Sequence, residues 1–332
     1  MKRVAFLGDL HFYDGQTKSH EDYFTNCRHC MDLYTKELET SKPDYIVLSG
    51  DIVGLSERVM RTRIGLSILI SYLKMWSDLC NGNLYSVAGN HDYAKGESLS
   101  DFDLLVQLGI IKRAKFIDIY GLRVHMIDYG NEREPIEFAE NRHNIACMHA
   151  NLQIDGMTTW FHADEGIALS SLRNLKGVEL AVCGHIHNPS PRVVTTSIED
   201  SSINLLYLGC PTRPKRRDTW SGVFVFYADC SENSDVSVST SLIRLEDYNN
   251  VFTQQALKAN ADNDEPEEEI SDTPVVDIAL LTQILDELSP ALMGSEFDYR
   301  TQVRRFAGVD KRAAEIAISY LDKADEFAKV KS

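Results

Sequence analysis

The sequence predicts an α/β fold with a small helical segment at its C-terminal end, and three observations carry that expectation. Over the first 250 residues, short apolar runs alternate with helix-length patterns, as in stacked strand-helix units. Nearly every apolar run ends in a cluster of Gly, Asp, Asn or His. Finally, seven of the eleven residues from Asp262 to Asp272 are acidic, a composition that solvates rather than packs, and amphipathic spacing resumes beyond them.

Taken in order, Val4 to Leu7, Tyr45 to Leu48, Leu84 to Val87, Val124 to Ile127, Ile145 to Met148 and Leu180 to Cys183 read as strands. Helices are expected between them, near Tyr23 to Leu38, Val59 to Cys80, Phe102 to Leu108 and Glu165 to Leu175. After about Leu205 the pattern becomes all-strand, through Leu205 to Leu208, Val223 to Tyr227 and Val236 to Ile243. The expected organisation is a domain over residues 1–250, an acidic linker over 251–274 and a helical segment over 275–332. In the last segment Ile278, Leu281, Leu285 and Leu288 recur at helical spacing up to Pro290, and Asp310 reads as the N-cap of a final helix through Ile316, Leu321 and Phe327.

Composition bounds the function. A chain of 332 residues with 43% hydrophobic content holds a large core without staples. Seven cysteines are an odd number and point to free thiols, and the Cys27-Arg28-His29-Cys30 spacing lacks the matching second pair of a zinc site. The apolar run after Met1-Lys2-Arg3 stops at Gly8, too soon for a signal peptide or membrane span, so a soluble, cytoplasmic protein with no membrane partner is expected. A net charge of −16 argues against holding nucleic acid by bulk electrostatic attraction. Half of that charge, −8, falls on residues 251–332, which leaves the larger segment only mildly acidic.

The strand-end clusters carry the chemistry: Gly8-Asp9-Leu10-His11, Ser49-Gly50-Asp51, Gly89-Asn90-His91-Asp92, His149 and Gly184-His185-Ile186-His187. Residues just past strand C-termini converge on one crevice of an open α/β sheet, so five clusters distant in sequence form one site. Carboxylates, imidazoles and one amide oxygen suit Mn²⁺, Fe or Zn²⁺, and two cations need about this many ligands. In Asp9-x-His11 and His185-x-His187 the two-residue spacing sends both side chains to one side of an extended segment. Asp51 is the natural bridge, because its two oxygens can serve two cations.

In order and in residue type, these motifs resemble the calcineurin-like metallophosphoesterase superfamily, whose signature runs Asp-x-His, Gly-Asp, Gly-Asn-His-Asp/Glu, His and Gly-His-x-His. The resemblance implies a four-layer α/β/β/α sandwich and hydrolysis of phosphate esters with two divalent cations, Mn²⁺ before Fe, Zn²⁺ or Mg²⁺. It assigns Asp9, His11, Asp51 and His187 to the first metal, and Asp51, Asn90, His149 and His185 to the second. It makes His91 the acid, with Asp92 orienting its ring.

Within the superfamily the layout is most similar to SbcD-type DNA repair exonucleases and their phage relatives. Tyr207-Leu208-Gly209-Cys210-Pro211-Thr212-Arg213 resembles their Tyr-x-Gly-Ser-Pro-x-Arg segment, and the helical tail resembles their ATPase-docking segment. That implies DNA as substrate, Arg213 as a phosphate contact, an SbcC-type ATPase as partner and a homodimer. The apolar surface of Ile64 to Trp76 extends around more than one helical face: one face covers the sheet, and the other is either deep core or a subunit contact, which the resemblance tilts toward the homodimer. Two features depart from the pattern: Gly54 stands where many of these nucleases carry a histidine, and a capping domain is not evident before the acidic linker.

Lys215, Arg216 and Arg217 extend a basic cluster behind Arg213, which serves either phosphate positioning or a solvated loop. Trp160-Phe161-His162 offers base stacking or local packing. The competing functions are a small-substrate phosphodiesterase or phosphatase, and a non-catalytic scaffold. The scaffold predicts lost ligands, and none is lost; a protein phosphatase predicts Asp-Arg-Gly where Gly50-Asp51-Ile52-Val53-Gly54 stands.

Overall fold

The computed structural model describes residues 1–54, 62–93, 100–153, 166–189, 194–198, 201–216, 218–233 and 235–262. Residue contacts divide the chain into Met1–Glu268 and Glu269–Ser332. The expected helices of the tail, the Trp160-Phe161-His162 stretch and Arg217 lie outside the described residues.

Two sheets form the centre. The first is five-stranded in the order β13-β12-β1-β2-β3, from β1 (Lys2–Leu7), β2 (Tyr45–Leu48), β3 (Leu84–Ser86), β12 (Gly222–Cys230) and β13 (Val236–Arg244). The second is six-stranded in the order β10-β11-β9-β6-β5-β4, from β4 (Phe116–Ile119), β5 (Leu122–Ile127), β6 (His143–His149), β9 (Leu180–Gly184), β10 (Val194–Ile198) and β11 (Ser201–Tyr207). A short parallel pair, β7 (Leu152–Gln153) and β8 (Ile167–Ala168), stands apart. Within the first sheet β1, β2 and β3 run parallel, and within the second so do β5, β6, β9 and β11. Their C-terminal ends therefore share one edge of each sheet.

The period of two sorts the side chains into layers. Val4 and Phe6 of β1, with Val47 and Phe226 of the same sheet, face the second sheet, whose Cys147 and Val182 belong to the same buried cluster. Phe6 and Phe226 pack with ring centroids 5.5 Å apart, and each such buried ring stabilises the fold by roughly 1.5–3 kcal/mol. Ala5 and Leu7 face the other way, against α1 (Tyr23–Ser41), α2 (Arg63–Leu79) and α3 (Asp101–Gln107). Asp22 caps α1 by accepting from Thr25 N, and Ser100 with Asp103 forms a capping box on α3. The inner stripe of α2, made by Leu69, Leu73 and Trp76, is fully buried against this core, and Trp76 donates to Thr35 Oγ1 of α1 at 2.8 Å.

The far face of the second sheet is covered by Leu169, Leu172 and Leu175, which lie in and between two 3₁₀ turns, Leu169–Ser171 and Arg173–Leu175. This corrects the α-helix expected near Glu165 to Leu175. A spacing of three residues repeats on one side of a 3₁₀ turn, whereas an α-helix needs alternating threes and fours. With that adjustment the chain has the expected layered sandwich, two sheets flanked by helices.

Beyond β13, α4 (Tyr248–Val251) and α5 (Gln254–Asp262) occupy the first part of the span expected to be an acidic linker. Val251, Phe252 and Ala256 give this stretch an apolar side, and Phe252 packs edge-on against the His20 ring at 4.7 Å. Backbone bonds from Glu21 N to Val251 O and from Thr253 N to Ser19 O pin it to the segment before α1. Among the described residues, no helix is long and apolar enough to cross a membrane.

Candidate metal centre

The parallel strands deliver the expected residues to one edge. Asp9 and His11 follow β1, Asp51 follows β2, Asn90 and His91 follow β3, His149 ends β6, and His185 and His187 follow β9. Three groups have donor atoms within 4.8 Å of one another: a first of Asp9, His11 and His187, a second of Asp51, His149 and His185, and a third, His11, Asp51 and His91, that shares a residue with each. Asn90 Oδ1 joins the second group, 3.0 Å from His149 Nε2 and 2.9 Å from His185 Nδ1. Asp51 Oδ2 stands between the groups, 3.4 Å from His11 Nε2 and 3.2 Å from His149 Nε2.

Backbone geometry forces this convergence. His11, Asp51 and His185 all have positive φ, an uncommon state for residues other than glycine that concentrates where a site over-determines the chain. Gly50 precedes Asp51 at φ +96°, and a side chain there would also meet His149 Nδ1 at 2.7 Å. Leu10 N and His11 N both donate to Asp51 O, which locks the turn after β1 onto the turn after β2.

The imidazoles are aimed by their rear nitrogens. Gly54 O and Ser49 O can only accept, so His11 Nδ1 at 3.0 Å and His149 Nδ1 at 2.8 Å carry hydrogens and turn Nε2 into the site. Burial pulls His11, His185 and His187 down to about 3, so these rings are neutral, the state in which imidazole binds a cation. The Nε2 atoms of His11 and His187 face each other at 3.0 Å. Asp9 Oδ1, fully buried, has no hydrogen-bond partner. Facing lone pairs and an orphaned carboxylate oxygen are unfavourable by themselves, and a divalent cation removes both faults. The donor set fits two such ions.

Without cations the site keeps protons instead. Burial raises Asp9 to about 8. Burial opposes charge on His149 too, but the Asp51 and Asp9 carboxylates outweigh it and carry the ring up to about 10. Burial likewise opposes the Asp51 charge, which the surrounding histidines, His149 foremost, restore well below the usual carboxylate range. Ligands bind cations deprotonated, so loading must expel protons from Asp9 and His149. Mn²⁺ affinity is therefore expected to rise with pH through about 8, where Asp9 ionises. Titration calorimetry at neutral pH should give heats that depend on the buffer's ionisation enthalpy; identical heats in two buffers would refute the release.

His91 lies at the opening. Its side chain is 24% exposed, against 1% or less for His11, Asp51 and His149, and its Nε2 is 3.9 Å from Asp51 Oδ2. Asp92 is placed differently from expectation. Its Oδ1 accepts from Ile52 N and Val53 N and its Oδ2 from Gly89 N, and the expected bond to the His91 ring is not among these. Burial raises Asp92 to about 7, and its three amides make it a clamp between the turns after β2 and β3.

Arg213 is a clear correction. Its side chain is 1% exposed, its φ is +49°, and a guanidinium nitrogen donates to Trp220 O at 3.4 Å. A guanidinium held inside by that backbone turn cannot meet a phosphate in solution. The cysteine expectation holds: all seven are free and buried, and burial pushes Cys30 up to about 12. Tyr129 and Asp218 are functional candidates that the sequence reading missed. Tyr129 follows β5, the one run not read as leading into a polar cluster, and its ring stacks on His185 at 5.8 Å. Asp128 Oδ1 accepts from Ala88 N and Tyr129 N donates to Ala88 O, which fixes the ring there.

The sequence matches the family described as calcineurin-like phosphoesterase over residues 2–189. The chain belongs to that family. No curated protein matches the sequence. A solved structure of a 5'-nucleotidase precursor from Thermus thermophilus is similar at 9% identity with a TM-score of 0.42, covering 79% of this chain and 58% of that one. The chain thus spans less than two thirds of that protein's length. The calcineurin-like match covers every cluster from Asp9 to His187 and stops before the Tyr207 segment.

Proposed function

We propose that the chain is a two-metal DNA nuclease, of exo- or endonuclease type, resembling SbcD-type repair enzymes and working in recombination or repair with an SbcC-type ATPase. The observation that carries the two-metal reading is Asp51 Oδ2, one oxygen within 3.4 Å of both ligand groups. Asp9, His11, Asp51 and His187 hold the first cation; Asp51, Asn90, His149 and His185 hold the second. Bound there, the cations, Mn²⁺ first among them, supply a nucleophilic water at neutral pH and neutralise phosphate charge. His91, at the mouth of the site, donates a proton to the leaving oxygen.

A DNA substrate is supported by the Tyr207 segment and by two exposed rings at the site. Tyr129 is stacked on His185, Tyr93 follows the Gly89–Asp92 turn, and both are more than two-fifths exposed. Exposed aromatic rings beside a phosphate-cutting centre are suited to stacking bases. Lys215, exposed and close enough to His187 to help depress its pKa, takes the phosphate-facing role that Arg213 cannot. Docking of residues 275–332 on the ATPase, and a homodimer through the half-buried stripe of α2 that includes Ile68, Tyr72 and Met75, complete the reading.

The test is an assay of the purified protein with Mn²⁺ on end-labelled single- and double-stranded DNA, on a generic phosphodiester and on mononucleotides. DNA cleavage abolished by a chelator is the expected result. Hydrolysis of the small substrates with intact DNA would replace the nuclease by a small-substrate phosphodiesterase or phosphatase.

A further inference from the structure

We propose that Asp218 is the positioning residue that presents His187 to a cation at the first ligand group, an inference that rests on the two-metal reading above. Asp218 lies in the segment between β11 and β12, 31 residues beyond His187. Its Oδ2 is 3.2 Å from His187 Nδ1, and both side chains are nearly buried. A carboxylate facing Nδ1 places the ring hydrogen there and turns the bare Nε2 toward His11, 3.0 Å away.

The carboxylate is itself held. Asp218 Oδ2 accepts from Lys215 N at 2.9 Å, and Asp218 N donates to Lys215 O at 2.9 Å, so Asp218 is tied to the Lys215 backbone twice. The same segment grips the first ligand group elsewhere: Cys210 N donates to His187 O and Thr212 Oγ1 donates to Leu10 O. His11 and His149 rely on backbone carbonyls for their rear hydrogen bonds. Among the described residues His187 is the proposed ligand whose rear nitrogen lies within hydrogen-bonding reach of a carboxylate. An anionic partner strengthens an imidazole as a donor more than a carbonyl does, so the first ligand group binds its cation through a reinforced ring.

The test loads the metal-free full chain with Mn²⁺ and follows binding by calorimetry and by electron paramagnetic resonance, in the wild type, Asp218→Asn and Asp218→Ala. The asparagine keeps an acceptor for His187 and for Lys215 N but loses the charge. Two Mn²⁺ ions are expected in the wild type. In Asp218→Ala one of the two should bind about 10–100-fold more weakly, the usual effect of losing such a partner, with the other unchanged. In Asp218→Asn the loss should be smaller and the melting of the metal-free protein unaltered. Wild-type affinity for both ions in both variants overturns the role. So does an equal loss in both variants accompanied by an equal fall in metal-free melting temperature, which marks a structural residue. A wild type that binds no Mn²⁺ instead overturns the two-metal reading itself.

Discussion

Asp51→Asn is expected to abolish metal-dependent hydrolysis, lowering turnover by about 10³-fold or more, the scale on which one electrostatic group supports a transition state. The substitution changes little in shape. The amide oxygen of the new side chain can still accept the hydrogen bond that Asp51 Oδ1 takes from His91 N at 2.9 Å, and the backbone bonds from Leu10 and His11 to the carbonyl of this residue do not involve the side chain. What disappears is the negative charge between the two ligand groups. Both cations should therefore bind more weakly together. Without metal, His149 should fall below about 10, because the Asp51 carboxylate is the foremost group holding its proton. Circular dichroism should show an intact fold, and Mn²⁺ titration should show both ions weakened. Near-wild-type turnover, or loss of a single ion with the other untouched, would defeat the assignment of Asp51 as the bridge.

The strand-end clusters were legible because their chemistry is local. Asp9 and His11, or His185 and His187, are two residues apart, and a parallel sheet brings such pairs to one edge with no further information. The same locality explains the failures. Asp92 stands next to His91 in sequence, yet its carboxylate reaches three backbone amides, and only the folded turns make those amides available. Asp218 could not be read because its link to His187 depends on the turn at Lys215 folding back. Arg213 occupies a position in a recognisable motif, but positive φ and the carbonyl of Trp220 turn it inward. The short β4, β7, β8 and β10 were not foreseen, since runs such as Phe116–Ile119 are defined by their partners, here β5, more than by their own pattern. The helix expected near Glu165 to Leu175 failed on the arithmetic of threes against fours, which leaves two 3₁₀ turns from Leu169 to Leu175.

Gly184→Ala is expected to disable the site by a different route, through crowding and not charge. Gly184 ends β9 beside His149, its partner in the β6–β9 register. A Cβ there would lie 2.3 Å from Asp9 Oδ1, 2.4 Å from Ser49 O and 2.8 Å from His149 Nδ1. The Asp9 carboxylate can swing away, but Ser49 O is backbone and is the acceptor that fixes His149 Nδ1. Relief must therefore come from separating the ends of β2 and β9, which carry ligands of both groups. Overpacking of this kind costs about 1–3 kcal/mol, which the rest of the core can absorb, so the protein should fold with a lowered melting temperature. Activity should suffer far more, because a displacement of about 1 Å in catalytic groups can cost about a hundredfold in rate. Gly109→Ala provides the comparison. Its φ of +67° makes alanine strained, but nothing lies within 4 Å of the new methyl, so stability should fall while turnover and Mn²⁺ binding hold. If Gly184→Ala turns over at the wild-type rate, Ser49, Asp9 and His149 are not held in the register described, and the packing argument for the site is wrong.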